Sequence, residues 1–176
     1  MAAAAPVAAT DAIQVACARE AEALSDLIAC LKASGRGAAL AMEGCEFAHR
    51  EPFSAPLQGR TVLRFGERTQ YGSTSKGVVL EGQHSAVVHA PKGGFVIFAG
   101  AYRTYGKLVV LETNCALRFI LAGIGTLAVA GGETVAEGQA IGALSAAESS
   151  VLPPVLYVEL SKSGKPVDPG PGISGP

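Results

Sequence analysis

Two hydrophobic rhythms divide the chain. Between residues 11 and 33, Ile13, Cys17, Leu24, Leu27, Ile28 and Leu31 recur at mostly three- and four-residue steps. That spacing lays an apolar stripe on one face of a helix. Arg19, Glu20, Glu22, Asp26 and Lys32 fall mostly elsewhere, Thr10 or Asp11 is placed to cap the helix, and Gly35 and Gly37 stop it. The pattern predicts one helix over 11–33. Cys17, Leu24, Ile28 and Leu31 also fit an a/d seam for about two heptads, short of the three or four that specify a coiled coil. A helix packed on its own domain and the end of a longer coiled coil both remain open.

From Gly59 onward the rhythm shortens. Thr61–Phe65, Gly77–Leu80, Ser85–His89, Gly94–Phe98, Lys107–Glu112, Leu117–Leu121 and Leu156–Leu160 read as strands, separated by glycine-rich turns. Short strands at roughly 8–12-residue spacing indicate a sandwich or barrel. Residues 35–58, broken by Gly35, Gly37, Gly44, Pro52 and Pro56, read as a connector, with the compact part beginning near Gly59. The expected organisation is an N-terminal helix (1–34), a connector (35–58), a mainly β domain (59–169) and a Pro/Gly-rich tail (170–176).

Composition narrows the function classes. Lys+Arg is 14 and Asp+Glu is 15, for a net charge of −1. Without a basic block there is no electrostatic footprint for nucleic acid. Hydrophobic residues at 49% argue against disorder throughout. The 22 glycines suit a turn-rich β protein. With only three histidines, His49, His84 and His89, little imidazole is available for metal chemistry. His84 reads as a turn residue and His89 as a strand end. The four cysteines, Cys17, Cys30, Cys45 and Cys115, lack C-x-x-C spacing, so zinc-ribbon and thioredoxin readings have no support. They are expected to be small buried hydrophobes; disulfides are compatible with the even count. Neither the basic n-region nor the apolar h-region of a signal peptide is present, leaving a cytosolic chain or an exported one shown without its leader.

The most informative stretch is Val129–Gly142. Its valines and glycines alternate as V-x-x-G-x-x-V-x-x-G-x-x-I-G. Valines enter a core while glycines permit turns with positive φ. Such hairpins occur in biotinyl and lipoyl carriers, in sugar-transport phosphocarriers and in LytM-type peptidases. A biotinyl or lipoyl carrier needs a lysine at the hairpin tip, and none lies between Lys107 and Lys162.

Further motifs appear in order. They are Gly59-Arg-Thr-Val-Leu-Arg-Phe-Gly66, Lys76-Gly-Val-Val-Leu80, Val87-Val-His-Ala-Pro-Lys-Gly-Gly-Phe-Val-Ile-Phe-Ala-Gly100, Tyr105-Gly-Lys-Leu-Val-Val-Leu111, Leu156-Tyr-Val-Glu159 and Pro166-Val-Asp-Pro169. From Gly59 to Pro169 the chain resembles a LytM-type zinc endopeptidase domain, an antiparallel β-sandwich or barrel-sandwich hybrid. An active member of that family binds zinc with a His-x-x-x-Asp pair and the second His of a His-x-His pair, assisted by a further His. The matching positions are Ser75 and Val79, then Val155 and Tyr157, with the further His near Gly123. None supplies an imidazole or carboxylate, and a catalytic zinc needs three protein ligands. The expectation is a non-enzyme without metal or cofactor.

A LytM-type fold without its ligands resembles the EnvC-like murein hydrolase activators. That resemblance implies a periplasmic domain that binds and stimulates N-acetylmuramoyl-L-alanine amidases for septal peptidoglycan splitting in cell division. It implies an upstream coiled coil that engages a division-site transporter complex; 11–33 looks like its end, making this chain a fragment or short member. It also implies a helix able to block the groove, a part that 11–33 or Ala38–Met42 would play. Residues matching the amidase-binding groove are Lys76, Val79, Tyr105, Leu121, Tyr157 and Ser161, of which Leu121 and Ser161 depart from the family's usual aromatic and basic residues. Val79 and Leu121 are equally readable as core, Tyr105 as a turn residue, Lys76 as a solvated lysine, and Glu159 as a support for the strand. The alternatives are a peptidoglycan-binding scaffold and a zinc endopeptidase with relocated ligands.

Overall fold

The computed structural model describes residues 16–19, 24–33, 53–113, 117–146, 152–162 and 164–169. Eleven strands in these residues form two antiparallel sheets. The larger holds β1 (Arg60–Leu63), β2 (Val78–Glu81), β4 (Gly94–Ala101), β5 (Lys107–Glu112), β6 (Leu117–Ile124), β8 (Thr134–Val135), β10 (Val155–Lys162) and β11 (Lys165–Val167). Its order is β1-β2-β10-β6-β5-β4-β8. Along one edge of β10, β2 pairs with Val155–Val158 and β11 with Leu160–Lys162. The smaller sheet is β3 (Val87–His89), β9 (Ala140–Ala143) and β7 (Thr126–Leu127), in the order β3-β9-β7. The mainly β expectation is therefore met. The sequence reading missed β7 and β11, whose two or three residues are too short to show a period.

Strand alternation gives the large sheet two unlike faces. Val78 and Leu80, Val109 and Leu111, Leu117, Phe119 and Leu121, and Leu156, Val158 and Leu160 point into the main core. Val88, Ile141 and Leu144 from the region of the small sheet close that core. Phe53 and Leu57, upstream of the expected boundary at Gly59, belong to it as well. Leu57 is fully buried, and Phe53 meets Phe119 edge-on with centroids 5.1 Å apart. In the Val129–Gly142 stretch, Gly132 and Gly138 take φ of 98° and 80°, the turn role that the pattern assigns them.

The opposite face carries Ile97, Phe98, Leu108, Val110, Ile120 and Ala122, and a helix covers part of it. This helix, α1 (Leu24–Ala33), buries Leu27, Ile28 and Leu31 there beside Cys17 from the helical residues 16–19. Of the stripe predicted for 11–33, Cys17, Leu27, Ile28 and Leu31 thus pack on the chain's own domain. It does not run as one helix. Cys17 and Cys30 are joined by a disulfide with Cα atoms 5.6 Å apart, whereas 13 residues of continuous helix would span about 20 Å. The expectation that these cysteines are only small hydrophobes is corrected: Cys17 is buried, but it is cross-linked. Spacing could not reveal a pairing that depends on where the two helical segments lie. Cys45 and Cys115 lie outside the described residues, as do His49, Ala38–Met42 and the tail from 170. No helix among the described residues is long and apolar enough to cross a membrane.

Candidate functional site

The sheet face that α1 leaves uncovered forms a cleft of about 750 Å³. Strand β10 supplies its centre. Tyr157 lies opposite Val79 of β2 and Ala122 of β6, Glu159 opposite Ile120, and Ser161 opposite Arg118. Ile28 of α1 contributes to one wall. Because Ile28 and Ile120 also belong to the apolar cluster beneath α1, the cleft and the covered face are one continuous surface.

An arm between β1 and β2 contributes further lining. The Thr69 amide donates to the Ser73 carbonyl at 2.7 Å, and the two hydroxyls meet at 2.8 Å. Arg68 and Thr74 form a bridge, which makes the arm a small hairpin with Tyr71 exposed near its tip. At the arm's base Ser75 is buried, and its hydroxyl donates to the Gly77 carbonyl at 2.8 Å. Gly77 is required there: a Cβ would run into the Val158 carbonyl oxygen and lie 3.0 Å from the Tyr157 ring. Tyr105 enters from a 3-10 turn (Arg103–Tyr105) and stacks on Tyr102 with centroids 6.1 Å apart.

Electrostatically the cleft is mixed. The Tyr157 hydroxyl donates to Glu159 Oε2 at 2.9 Å. Burial, then the negative charge and hydrogen bond of Glu159, hold the phenol well above its ordinary value near 10. Arg118, with 12% of its side chain exposed, faces Glu112 across 3.6 Å. Lys76 is exposed at the cleft.

Six of the residues singled out from sequence therefore share one cleft: Ser75, Lys76, Val79, Tyr105, Tyr157 and Ser161. Gly123 and Val155 do not line it. They meet each other instead, the Val155 carbonyl lying 2.5 Å from where a Gly123 Cβ would be. Leu121 is corrected: it is fully buried in the main core and offers no contact surface. Alternation along β6 sends Leu121 inward and Arg118 and Ile120 into the cleft, and reading that period from Leu117 would have found both. Ile28 was expected at the groove only through the blocking helix that the resemblance implies for 11–33, and the arm threonines carried no sequence signal, because their approach to the cleft is set by tertiary packing.

The positions matching zinc ligands offer no imidazole or carboxylate. Of the positions matching zinc ligands, Ser75 spends its hydroxyl on a backbone carbonyl, Val79 and Val155 are aliphatic, and Tyr157 is held as a neutral phenol. Among the described residues no group of three His, Cys, Asp or Glu side chains is placed to hold a metal ion. His84 and His89 each turn Nδ1 to a backbone carbonyl, Ser145 at 3.3 Å and Gly138 at 3.1 Å.

Comparison with known proteins agrees with this architecture. The chain is 33% identical over 115 residues to the Pseudomonas aeruginosa lipoprotein NlpD/LppB homolog, covering 65% of this chain and 37% of that protein. It is 32% identical over 118 residues to the Escherichia coli murein hydrolase activator EnvC, covering 67% and 28%. The chain thus spans about a third of the length of these curated relatives. Among solved structures, Helicobacter pylori Csd3 superposes with a TM-score of 0.59 at 25% identity, covering 70% of this chain and 33% of that one. The catalytic domain of the antimicrobial peptidase lysostaphin from Staphylococcus simulans superposes at 0.58 with 21% identity, covering 65% and 92%, and so shares the fold. Residues 73–169, more than half of the chain, match the model of peptidase family M23, and the chain belongs to that family.

Proposed function

We propose that this protein is a non-catalytic murein hydrolase activator. It binds a periplasmic N-acetylmuramoyl-L-alanine amidase through the cleft and stimulates peptidoglycan splitting at the division septum. The observation that carries this reading is the composition of the cleft. Where an M23 peptidase would hold zinc, this chain presents Ser75, Val79 and Tyr157 beside Tyr105 and Ile120. Removing the metal ligands turns a hydrolytic pocket into a partly apolar groove with aromatic edges. Grooves of that kind accept an amphipathic segment, and tyrosines are common among the residues that dominate binding. The name of the Escherichia coli relative, a murein hydrolase activator, supports the same reading. So does the Cys17–Cys30 disulfide, since disulfides persist in oxidising compartments such as the periplasm.

The test uses purified components. Release of soluble peptidoglycan fragments by a purified amidase is measured with and without this protein, and with a variant lacking residues 1–34 in case that segment blocks the cleft. Stimulation by either protein, with no release by the protein alone, is expected. Failure of both to stimulate, or release of fragments without the amidase, would overturn the proposal.

A further inference from the structure

Arg118 occupies the floor of the cleft in an underused state. Among the described residues its one ion pair, Nη2 to Glu112 Oε1, is 3.6 Å long, beyond hydrogen-bond length. Its Nε–H is buried, with no acceptor among the described residues. A buried donor left unmatched is costly, and a guanidinium fork is shaped to close on a carboxylate through two parallel bonds. Ser161 stands directly across the strand pair from Arg118. The described lining carries two cations, Lys76 and Arg118, against one anion, Glu159, with Glu112 also 3.6 Å from Arg118. Around them stand Leu63, Val79 and Ile120, so a charge brought to the floor would be largely dried.

We infer that Arg118 is the anchor for an acidic side chain of the partner protein. A Glu or Asp flanked by apolar residues on an amphipathic segment enters the cleft. Its carboxylate accepts from the Arg118 guanidinium, and the neighbouring side chains fill the apolar walls. Lys76 at the cleft steers the same segment. This inference rests on the activator reading and adds to it the chemistry of the bound segment.

Removing the arginine alone would leave Glu112 buried beside a lost cation, so the test replaces both. Binding of the purified amidase to the full chain is titrated for the native protein, for R118K, and for the neutral pair E112Q/R118Q, with thermal unfolding of each as a control. E112Q/R118Q is expected to unfold near the native temperature and to bind the amidase on the order of tenfold or more weakly. R118K, which keeps the charge but loses the fork, is expected to fall between. Native-like binding by E112Q/R118Q would overturn this inference while leaving the activator reading intact. A native chain that binds no amidase would overturn that reading first and this inference with it. A stem peptide with a free carboxyl terminus that competes with the amidase for the native protein but not for E112Q/R118Q would move the site to the cell wall and overturn the protein partner.

Discussion

Tyr157 and Glu159, two residues apart on β10, point to the same side of the sheet and are joined by one hydrogen bond: the phenol donates to Glu159 Oε2 across 2.9 Å. The pair lies at the centre of the cleft. It fixes the tyrosine ring against Gly77 and gives the groove a hydroxyl that is already committed.

The pair makes folding sensitive to alkali. The folded state holds the Tyr157 phenol above its ordinary value near 10, chiefly by burial and then through Glu159. A group whose folded pKa is raised contributes its stability fully below the unfolded value and loses it as pH rises through the folded one. Unfolding midpoints should therefore fall as pH climbs from about 10. Tyr157→Phe should flatten that slope and cost about 1 kcal/mol at neutral pH, because one hydrogen bond to a partly exposed carboxylate is lost. Denaturant titrations of both proteins at pH 7 and above 10 check this. An equal alkaline loss in the phenylalanine variant would place the sensitivity elsewhere.

The disulfide is the second testable element. Cys17 and Cys30 lie 13 residues apart in sequence, and cross-linking them shortens the freedom of the unfolded chain. Loops of about 15 residues correspond to about 3 kcal/mol in the chain-entropy account. The C17S/C30S variant should unfold roughly 5–12 °C below the native protein. Mass spectrometry of the alkylated native protein should show the Cys17–Cys30 link before reduction and labels on both Cys17 and Cys30 after it.

How far the sequence spoke depended on the length of each pattern. Lys107–Glu112 was legible because six residues of unbroken β-rich text lie between turns. Strands β7 and β11 were not legible, since two or three residues carry no period. The candidate site came from ordered motifs, which point to Ser75 at the base of the arm and to Val79 and Tyr157 on the neighbouring strands β2 and β10. Motif matching then placed Leu121 in the groove, where β alternation puts Ile120 and Arg118. The Cys17–Cys30 link and the approach of Ile28 to the cleft depend on how the helical residues fold back over the sheet. No local pattern encodes that.

Lys76 tests the groove with little structural cost. It is exposed, and surface substitutions of this kind usually shift stability by no more than about 0.5 kcal/mol. Lys76→Glu should leave the unfolding temperature unchanged. Under the activator reading it should weaken amidase stimulation several-fold, with the loss shrinking as salt is raised. Stimulation equal to the native protein's at low salt would remove Lys76 from the contact surface.

The helical cover sets the last prediction. Leu27 and Leu31 are fully buried against Phe98, Leu108 and Val110, so Leu27→Ala should cost roughly 2–5 kcal/mol. Ile28 differs because it also lines the cleft, and through it α1 narrows the groove. A chain lacking residues 1–34 should therefore bind more of a hydrophobic dye and stimulate the amidase more strongly at equal concentration. Since the uncovered sheet face is prone to association, Ile28→Ala in the full chain supplies the milder comparison, widening the groove while Leu27, Leu31 and the disulfide keep the cover in place. Stimulation should rise from the native protein to Ile28→Ala to the truncated chain. The same stimulation in all three would mean that α1 stabilises the sheet without restricting the groove.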